Sequence, residues 1–530
     1  MKGGFHESMT FLHTWTGLLM GWLLFAMFLT GTAAVFQNET TIWMTPEMGR
    51  SAPPAQAIAL AEARLKTVAP TAASWSIDPP DERTIVTTIG WKADKAHGGK
   101  SGTETLESAT GKPVSLRATR GGEFFYHFHY RFETPSRTLW WLSGFAAVVM
   151  LAGLTTGVLI HRRIFRNFFT FRPRKASQRS WLDAHNFLAV LALPFHFLIT
   201  YSGLLVILGT VMPFAAIATY SGGKSLPEAF VNFDPVRSAY SAGVNPAVAK
   251  PKPVGIATPL TPLVPVIEQA HARWGGGRVG RIDVVNPGDA HAQIEVVRHG
   301  GDQLSHRPDR LIFDGATGAY QRTIVDRGPV EVTRAVIYGM HMAHFAGWAL
   351  RWAYFILGMA GVGLIGTGLI YWTQKRAPKR DTGAPLPLGH RLVHRLNVGV
   401  IAGLPVAMVA IFWANRLLPA DMPGRSEMEI NWFYWTWFAM AGLSAVRPVR
   451  RAWVEILSLA AVAYAGVPIL DAVTTHKGIA DLLRPGEGIV AGFDLTMLAT
   501  GLLFAYAVAK VMPMKTVEDP PVAALGEGAA

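Results

Sequence analysis

The chain has 530 residues, half of them hydrophobic, a net charge of +13 and no cysteine. The absence of cysteine excludes disulfides, thiolate-held iron–sulfur clusters, zinc–thiolate sites and haem attached through Cys-x-x-Cys-His. The positive charge gathers in short loops between long apolar stretches, which argues against a nucleic-acid partner and for membrane lipid as the solvent.

A spanning helix needs roughly 20 mainly apolar residues. About eight segments meet or approach that length: 11–36, 139–161, 181–212, 346–372, 393–415, 431–446, 453–470 and 489–511. The first runs into Phe36-Gln37-Asn38-Glu39 without a small-x-small cleavage site and reads as a retained anchor. It is followed by a polar stretch, 37–138, with a short amphipathic helix near 57–65, a strand near 84–89 and an Ala109-Thr110-Gly111 turn. Beyond the second helix, 139–161, comes a basic loop, 162–180; residues 161–179 hold seven Arg or Lys and no acid. A second polar stretch, 213–345, follows the third helix and repeats the first, with a helix near 266–274, a strand near 293–297 and the turn Ala316-Thr317-Gly318. The fourth helix leads to another basic loop, 373–392, then to a four-helix region, 393–511, and a tail, 512–530. Loops 416–430 and 471–488 each carry two basic and three acidic residues, so the positive-inside rule places the basic loops and both termini in the cytoplasm.

The first 372 residues read as a duplicated helix–domain–helix unit, both copies entering from the same side. From His13 to Gly31 is eighteen residues, as it is from His185 to Gly203, and Thr156-Gly157 matches Thr367-Gly368. These small residues are expected to let helices approach closely.

Imidazole is costly in hydrocarbon, so an intramembrane histidine normally faces the bundle with a specific partner. His13 and His185 occupy matching places near the cytoplasmic ends of the first and third helices, and His161 closes the second at the same depth. His196 lies eleven residues beyond His185, close to three turns, so the two share a face at different depths. His127 and His129 precede the second helix, and His341 and His344 the fourth. Histidines projecting inward at two depths of a four-helix bundle could hold two b-type haems. Each also reads as an interfacial hydrogen-bonding residue. Loop histidines, His299 and His306 among them, show no metal spacing and read as solvated. His390 and His394 could chelate a metal at i, i+4, but with no further ligand in view they read as interfacial beside Arg391 and Arg395. No nucleotide-binding glycine turn, Walker loop, zinc-protease helix or serine nucleophile elbow is present.

Over about residues 5–375 the chain resembles the PepSY-associated transmembrane proteins, iron-regulated inner-membrane proteins that include ferric-siderophore reductases. The resemblance rests on His13-x-x-x-Gly17 with Thr30-Gly31, on Phe128-His129-Tyr130, on Trp181-x-x-x-His185-Asn186 and on His344-Phe345, in that order. It implies a mainly α membrane fold with two periplasmic PepSY-like α+β domains inside the duplicated four-helix core, and haem ligation by membrane histidines. The leading expectation is a bacterial-type inner-membrane oxidoreductase carrying two b-haems. It would pass electrons from membrane quinol or a cytoplasmic donor to a ferric siderophore or other ferric chelate. Pseudo-symmetry favours an inner haem among His13, His185 and His161, and an outer one using His196, His129 or His344, with the haem iron bound through these histidines. Arg131 or Arg351 would neutralise propionates. The competing readings are a permease or accessory subunit for siderophore or metal uptake, without redox activity, and a scaffold for the two domains.

Overall fold

The computed structural model describes residues 2–94, 99–134, 136–161, 177–207, 250–325, 328–376, 386–476 and 488–512. Most of the expected basic loop 162–180, the start of the second polar stretch, the middle of the second basic loop and nearly all of the tail lie outside them. The chain divides into two compact units. One comprises Met1–Met44, Arg117–Tyr201 and Leu350–Ala530; the other comprises Thr45–Leu116 and Ser202–Ala349.

The first unit is helical: α1 (Lys2–Ala34), α2 (Gln37–Met44), α4 (Glu123–Arg131), α5 (Arg137–Ile160), α6 (Ser177–Leu191), α7 (Leu193–Val206), α10 (Trp348–Lys375), α11 (Leu388–Asn397), α12 (Gly403–Leu417), α13 (Arg425–Val446), α14 (Val449–Ala465), α15 (Val467–Thr475) and α16 (Gly488–Val511). Among the described residues, six helices are long and apolar enough to cross a membrane: Gly4–Ala34, Thr138–Ile160, Trp348–Lys375, Leu388–Leu417, Val449–Thr475 and Gly488–Val511. The expected third span is a bent pair, Gln178–Leu191 and Leu193–Ile207, turned by 68°. Pro194 is the cause, because it lacks the N–H that a continuous helix would donate to the carbonyl of Val190. The expected span 431–446 is helical within α13, but α13 begins with Arg425, Glu427 and Glu429, is rich in Trp and Tyr, and is not among the six. A π-type turn, Val398–Ala402, joins α11 to α12 ahead of Pro405, and Trp437 Nε1 donates to the Gly399 carbonyl within it at 3.1 Å.

Packing in this unit sets the rotation of the site-bearing helices. Phe124, Phe125 and Phe128 form the buried face of α4 and pack on Phe412, Phe433 and Trp437, which leaves His129 facing α1. Among the described residues three ion pairs are buried in the same unit: Arg351 with Glu39, Arg416 with Asp471, and Arg425 with Glu429. Glu429 also accepts Asn415 Nδ2 at 2.8 Å and Thr119 Oγ1 at 2.6 Å, which ties the segment before α4 to the C-terminal helices.

The second unit holds α3 (Pro54–Val68), β1 (Ser74–Asp78), β2 (Val86–Lys92), β3 (Gly102–Glu107), α8 (Leu263–Arg273), β4 (Val279–Val285), β5 (Gln293–Arg298), β6 (Arg310–Asp314), β7 (Tyr320–Ile324) and α9 (Pro329–Met342). The strands of both polar stretches lie in one antiparallel sheet of order β3-β2-β1-β4-β5-β6-β7. Its seam is the pairing of β1 with β4, in register Ser74↔Val285 to Ile77↔Ile282. Alternation places Trp75, Ile77, Ile89, Ile282, Val284, Ile294, Val296, Leu311 and Phe313 on one face, where they share a core with Ile58, Leu65, Val266 and Ile267 of the two helices. Glu62 of α3 accepts the Leu263 N–H of α8 at 3.0 Å, so the helices are joined as well as the strands.

Candidate functional site

His13 stands on α1 and His185 on α6, and their imidazole rings lie with centres 6.2 Å apart at 72°. Each ring is fixed from behind. His13 Nδ1 is 3.0 Å from the Gly153 carbonyl of α5, and His185 Nδ1 is 2.9 Å from the Leu364 carbonyl of α10. A carbonyl can only accept, so in both rings Nδ1 carries the proton and Nε2 the lone pair. With metal–imidazole bonds of about 2 Å, two imidazoles joined to one metal through Nε2 have ring centres roughly 6 Å apart. The observed pair has that separation.

The helix behind each ring is built for close approach. The accepting carbonyl lies one turn before a glycine, Gly157 on α5 and Gly368 on α10. A Cβ on Gly157 would stand 3.3 Å from His13 Cε1, and one on Gly368 would stand 3.0 Å from His185 Cε1. The residue before each glycine is threonine, and its hydroxyl donates to the same carbonyl: Thr156 Oγ1 to Gly153 at 3.1 Å and Thr367 Oγ1 to Leu364 at 3.0 Å. A threonine–glycine pair thus clears room for the ring and steadies the oxygen that orients it.

The same parts recur around His129. Its Nδ1 is 2.7 Å from the Met27 carbonyl of α1, Thr30 Oγ1 lies 3.4 Å from that carbonyl, and a Cβ on Gly31 would come within 2.5 Å of the ring. In the second unit His341 Nδ1 is 3.1 Å from Ser202 Oγ, and a Cβ on Gly203 would be 2.8 Å from His341 Cε1.

A cavity of about 680 Å³ opens beside His13 and His185, within the range of cofactor sites. Leu18, Leu24, Met150, Leu154 and Leu193 supply apolar wall, and Gly17 and Gly153 line it at places where an added Cβ meets nothing within 4 Å. His161, Lys375 and Arg376 also line it, the Arg376 guanidinium lying 5.1 Å and 4.9 Å from the ring centres of Trp15 and Trp372. Among the described residues no group of three or more His, Cys, Asp or Glu could hold a metal ion unaided. Two imidazole rings with centres 6.2 Å apart, beside an apolar cavity, therefore fit a metal that arrives within its own cofactor, as in haem.

The structure brings together only some of the residues that the sequence singles out. His13 and His185 face each other, and His161 lines their cavity as the C-cap of α5. His196 is fully buried, but its Nε2 is 3.3 Å from the Leu357 carbonyl and its ring meets Phe28 edge-on. His344 lies in the second unit beside His306, with ring centres 5.7 Å apart. Arg351 is committed to Glu39 rather than standing ready for a propionate, and Arg131 lies over Tyr130. His390 and His394 bring their Nε2 atoms to 3.1 Å, with His390 stacked on Trp372. Reading the sequence alone passed over the cradling role of Gly31, Gly157, Gly203 and Gly368, and over His341 as the histidine behind Gly203. The signal was present in the hydroxyl–glycine pair that closes each of four apolar segments.

Residues 10–375 match the PepSY-associated TM region, a span that contains all four histidine–glycine pairs and stops before α11. An uncharacterised protein of Pseudomonas aeruginosa, PA4219, is 26% identical over 384 residues, covering 70% of this chain and 89% of its own length. The chain belongs to the PepSY-associated transmembrane family.

Proposed function

We propose that the chain is a haem-carrying electron conduit of the bacterial inner membrane, with both termini cytoplasmic, that delivers electrons outward to a ferric siderophore or comparable chelate. The observation that supports it best is the His13–His185 pair, whose rings lie 6.2 Å apart and are oriented through Nδ1 by backbone carbonyls. When bound there, haem supplies a one-electron couple. His13 and His185 would hold the haem iron through their imidazole nitrogens, and the Gly153 and Leu364 carbonyls fix the tautomer of each ring. The apolar wall keeps water out, while Lys375 and Arg376 offer positive charge to carboxylates. His129 is prepared in the same manner, and a second haem would draw on a histidine of this kind. Each ferric ion takes up one electron, so a quinol donor would serve two and release two protons. Ferrous iron is held less firmly by hard oxygen donors, which frees the metal.

Detergent-purified protein is expected to give a b-type spectrum on dithionite reduction, with haem quantified as the pyridine haemochrome and lowered in both His13→Ala and His185→Ala. A chain that stays haem-free after expression with ample haem refutes this function. The permease reading is favoured by a different observation, the buried Arg416, Asp471 and Asp494 around Trp43. Acidic groups within spans mark ion paths, and that reading predicts that Asp494→Asn abolishes uptake while leaving haem content unchanged.

A further inference from the structure

Asn397 closes α11 just before the π-type turn, and it is buried, 2% exposed. Its Oδ1 accepts the indole N–H of Trp22 on α1 at 2.9 Å, and its Nδ2 donates to the Leu369 carbonyl of α10 at 3.2 Å. An indole N–H can only donate and a carbonyl can only accept, so the partners fix which way the amide points. The π-type turn that follows changes the helical register, so that α12 packs on α13 and α14 while Asn397 faces α1 and α10. One side chain of the C-terminal region therefore ties together two helices that precede that region.

The tie falls at the wall of the His13–His185 cavity. Trp22 is nine residues beyond His13 on α1. Leu369 follows Gly368, which clears room for the His185 ring, and lies five residues beyond Leu364, whose carbonyl orients that ring. Gly21 and Leu369 both line the cavity, and the two helices meet there: a Cβ on Gly21 would stand 2.7 Å from Leu369 Cδ2. Nearer the mouth, Arg376 bridges the same helices between Trp15 and Trp372. That guanidinium is exposed, and a cation–π contact is weaker in water than when desolvated. The buried amide is the stronger constraint, because losing either of its functions leaves an indole N–H or a carbonyl unpaired away from water.

We propose that Asn397 is the positioning residue of the His13–His185 site. Through it the C-terminal helices, which lie beyond the matched family region, hold α1 and α10 at the separation that the cofactor needs. The identity of the cofactor rests on the electron-conduit reading; the tie between the helices does not. The group must be an amide. Aspartate would set a carboxylate against the Leu369 carbonyl, and leucine would leave both partners without a bond.

Two measurements on the full-length chain in nanodiscs test this. The chain has no cysteine, so spin labels introduced through Leu19→Cys on α1 and Gln374→Cys on α10, both exposed, report the helix separation by dipolar EPR in haem-free protein. One narrow separation is expected in the parent. A wider or broader one is expected in Asn397→Leu, in Asn397→Asp and in Trp22→Phe, which keeps a ring in place and removes the N–H. The second measurement is the rate of haem transfer to an apoglobin scavenger, expected to rise about 10–100-fold in the same variants with a shift in the EPR signal of the oxidised haem. Ser444→Ala deletes a buried hydroxyl that bonds within its own helix, and it is expected to change neither readout. Label separations and haem-transfer rates equal to the parent's in Asn397→Leu and Trp22→Phe overturn the proposal. So does an equal effect of Ser444→Ala, which would make the loss one of general stability, and so does a changed separation with an unchanged haem-transfer rate. Failure of the parent to take up haem refutes the electron conduit instead, and the label separations then decide the tie alone.

Discussion

The cradle behind His185 can be closed with one methyl group. In Gly368→Ala the new Cβ would stand 3.0 Å from Cε1 and 3.1 Å from Nδ1 of His185, whereas carbon contacts are comfortable at about 3.5–4.0 Å. The ring must retreat by roughly half an ångström, and its 2.9 Å bond to the Leu364 carbonyl then passes the usual limit of about 3.2 Å. The helix itself gains about 1 kcal/mol from replacing glycine by alanine, so a loss of function cannot be assigned to a weaker helix. Removing the orienting bond of a metal-ligating histidine costs about 10–100-fold in affinity, or roughly 1.4–2.8 kcal/mol. The assay is haem retained per chain, together with the rate of haem transfer to an apoglobin scavenger. Gly442→Ala is the control, since a Cβ there meets nothing within 4 Å. Gly157→Ala, with 3.3 Å of clearance, is expected to be milder than Gly368→Ala. Haem retention in Gly368→Ala equal to that of the parent would refute the cradle, as would an equal loss in Gly442→Ala.

Glu429→Ala strips the partner from Arg425 and Asn415 in a buried network; about 3–5 kcal/mol of stability should be lost, and a loss in detergent unfolding below about 1 kcal/mol would show the network to be idle. Gly31→Ala, with a clearance of only 2.5 Å from His129, is expected to disturb its imidazole more than any of the other cradle substitutions disturbs its own, read as the largest shift in the oxidised haem spectrum; a spectrum identical to the parent's contradicts this. His344 is held down at about 4, chiefly by burial and then by His306, Arg83 and His299, while an unfolded chain holds a histidine near about 6.5. The unfolded state therefore takes up the proton first as pH falls. The stability of the second unit should be complete above about 6.5 and decline toward pH 4, by at most about 1.4 kcal/mol per pH unit from this residue. Hydrogen exchange of α9 against pH should show a shallower fall in His344→Gln, and an unchanged slope there would exclude His344 as the cause.

The apolar runs of the first unit were legible because length and hydropathy alone decide them; Pro194 also marked a break that a hydropathy count passes over. His13 and His185 were legible as a pair because the repeat places them at the same depth, and depth is what sequence records. Rotation about the helix axis is not recorded, so the sequence could not say that His196 turns its Nε2 to the Leu357 carbonyl and leaves Nδ1 buried without a hydrogen bond. His306 reads as a solvated loop residue and is exposed; its ring neighbours, Tyr338 and His344, come from a later helix and the turn after it and so are not legible from the loop itself. Thr-Gly read as a helix-packing device. What packs against it is an imidazole, a distinction that depends on which residue of the neighbouring helix arrives at the glycine.

The β1–β4 seam makes neither polar stretch self-sufficient. Ser74 and Val285 are far apart in sequence, so the central strands pair only after the second polar stretch has been made. Until then the hydrogen-bonding edge of β1 stands open. The sheet is therefore a late, high-contact-order step in folding, during which another chain's β1 or β4 could occupy the edge.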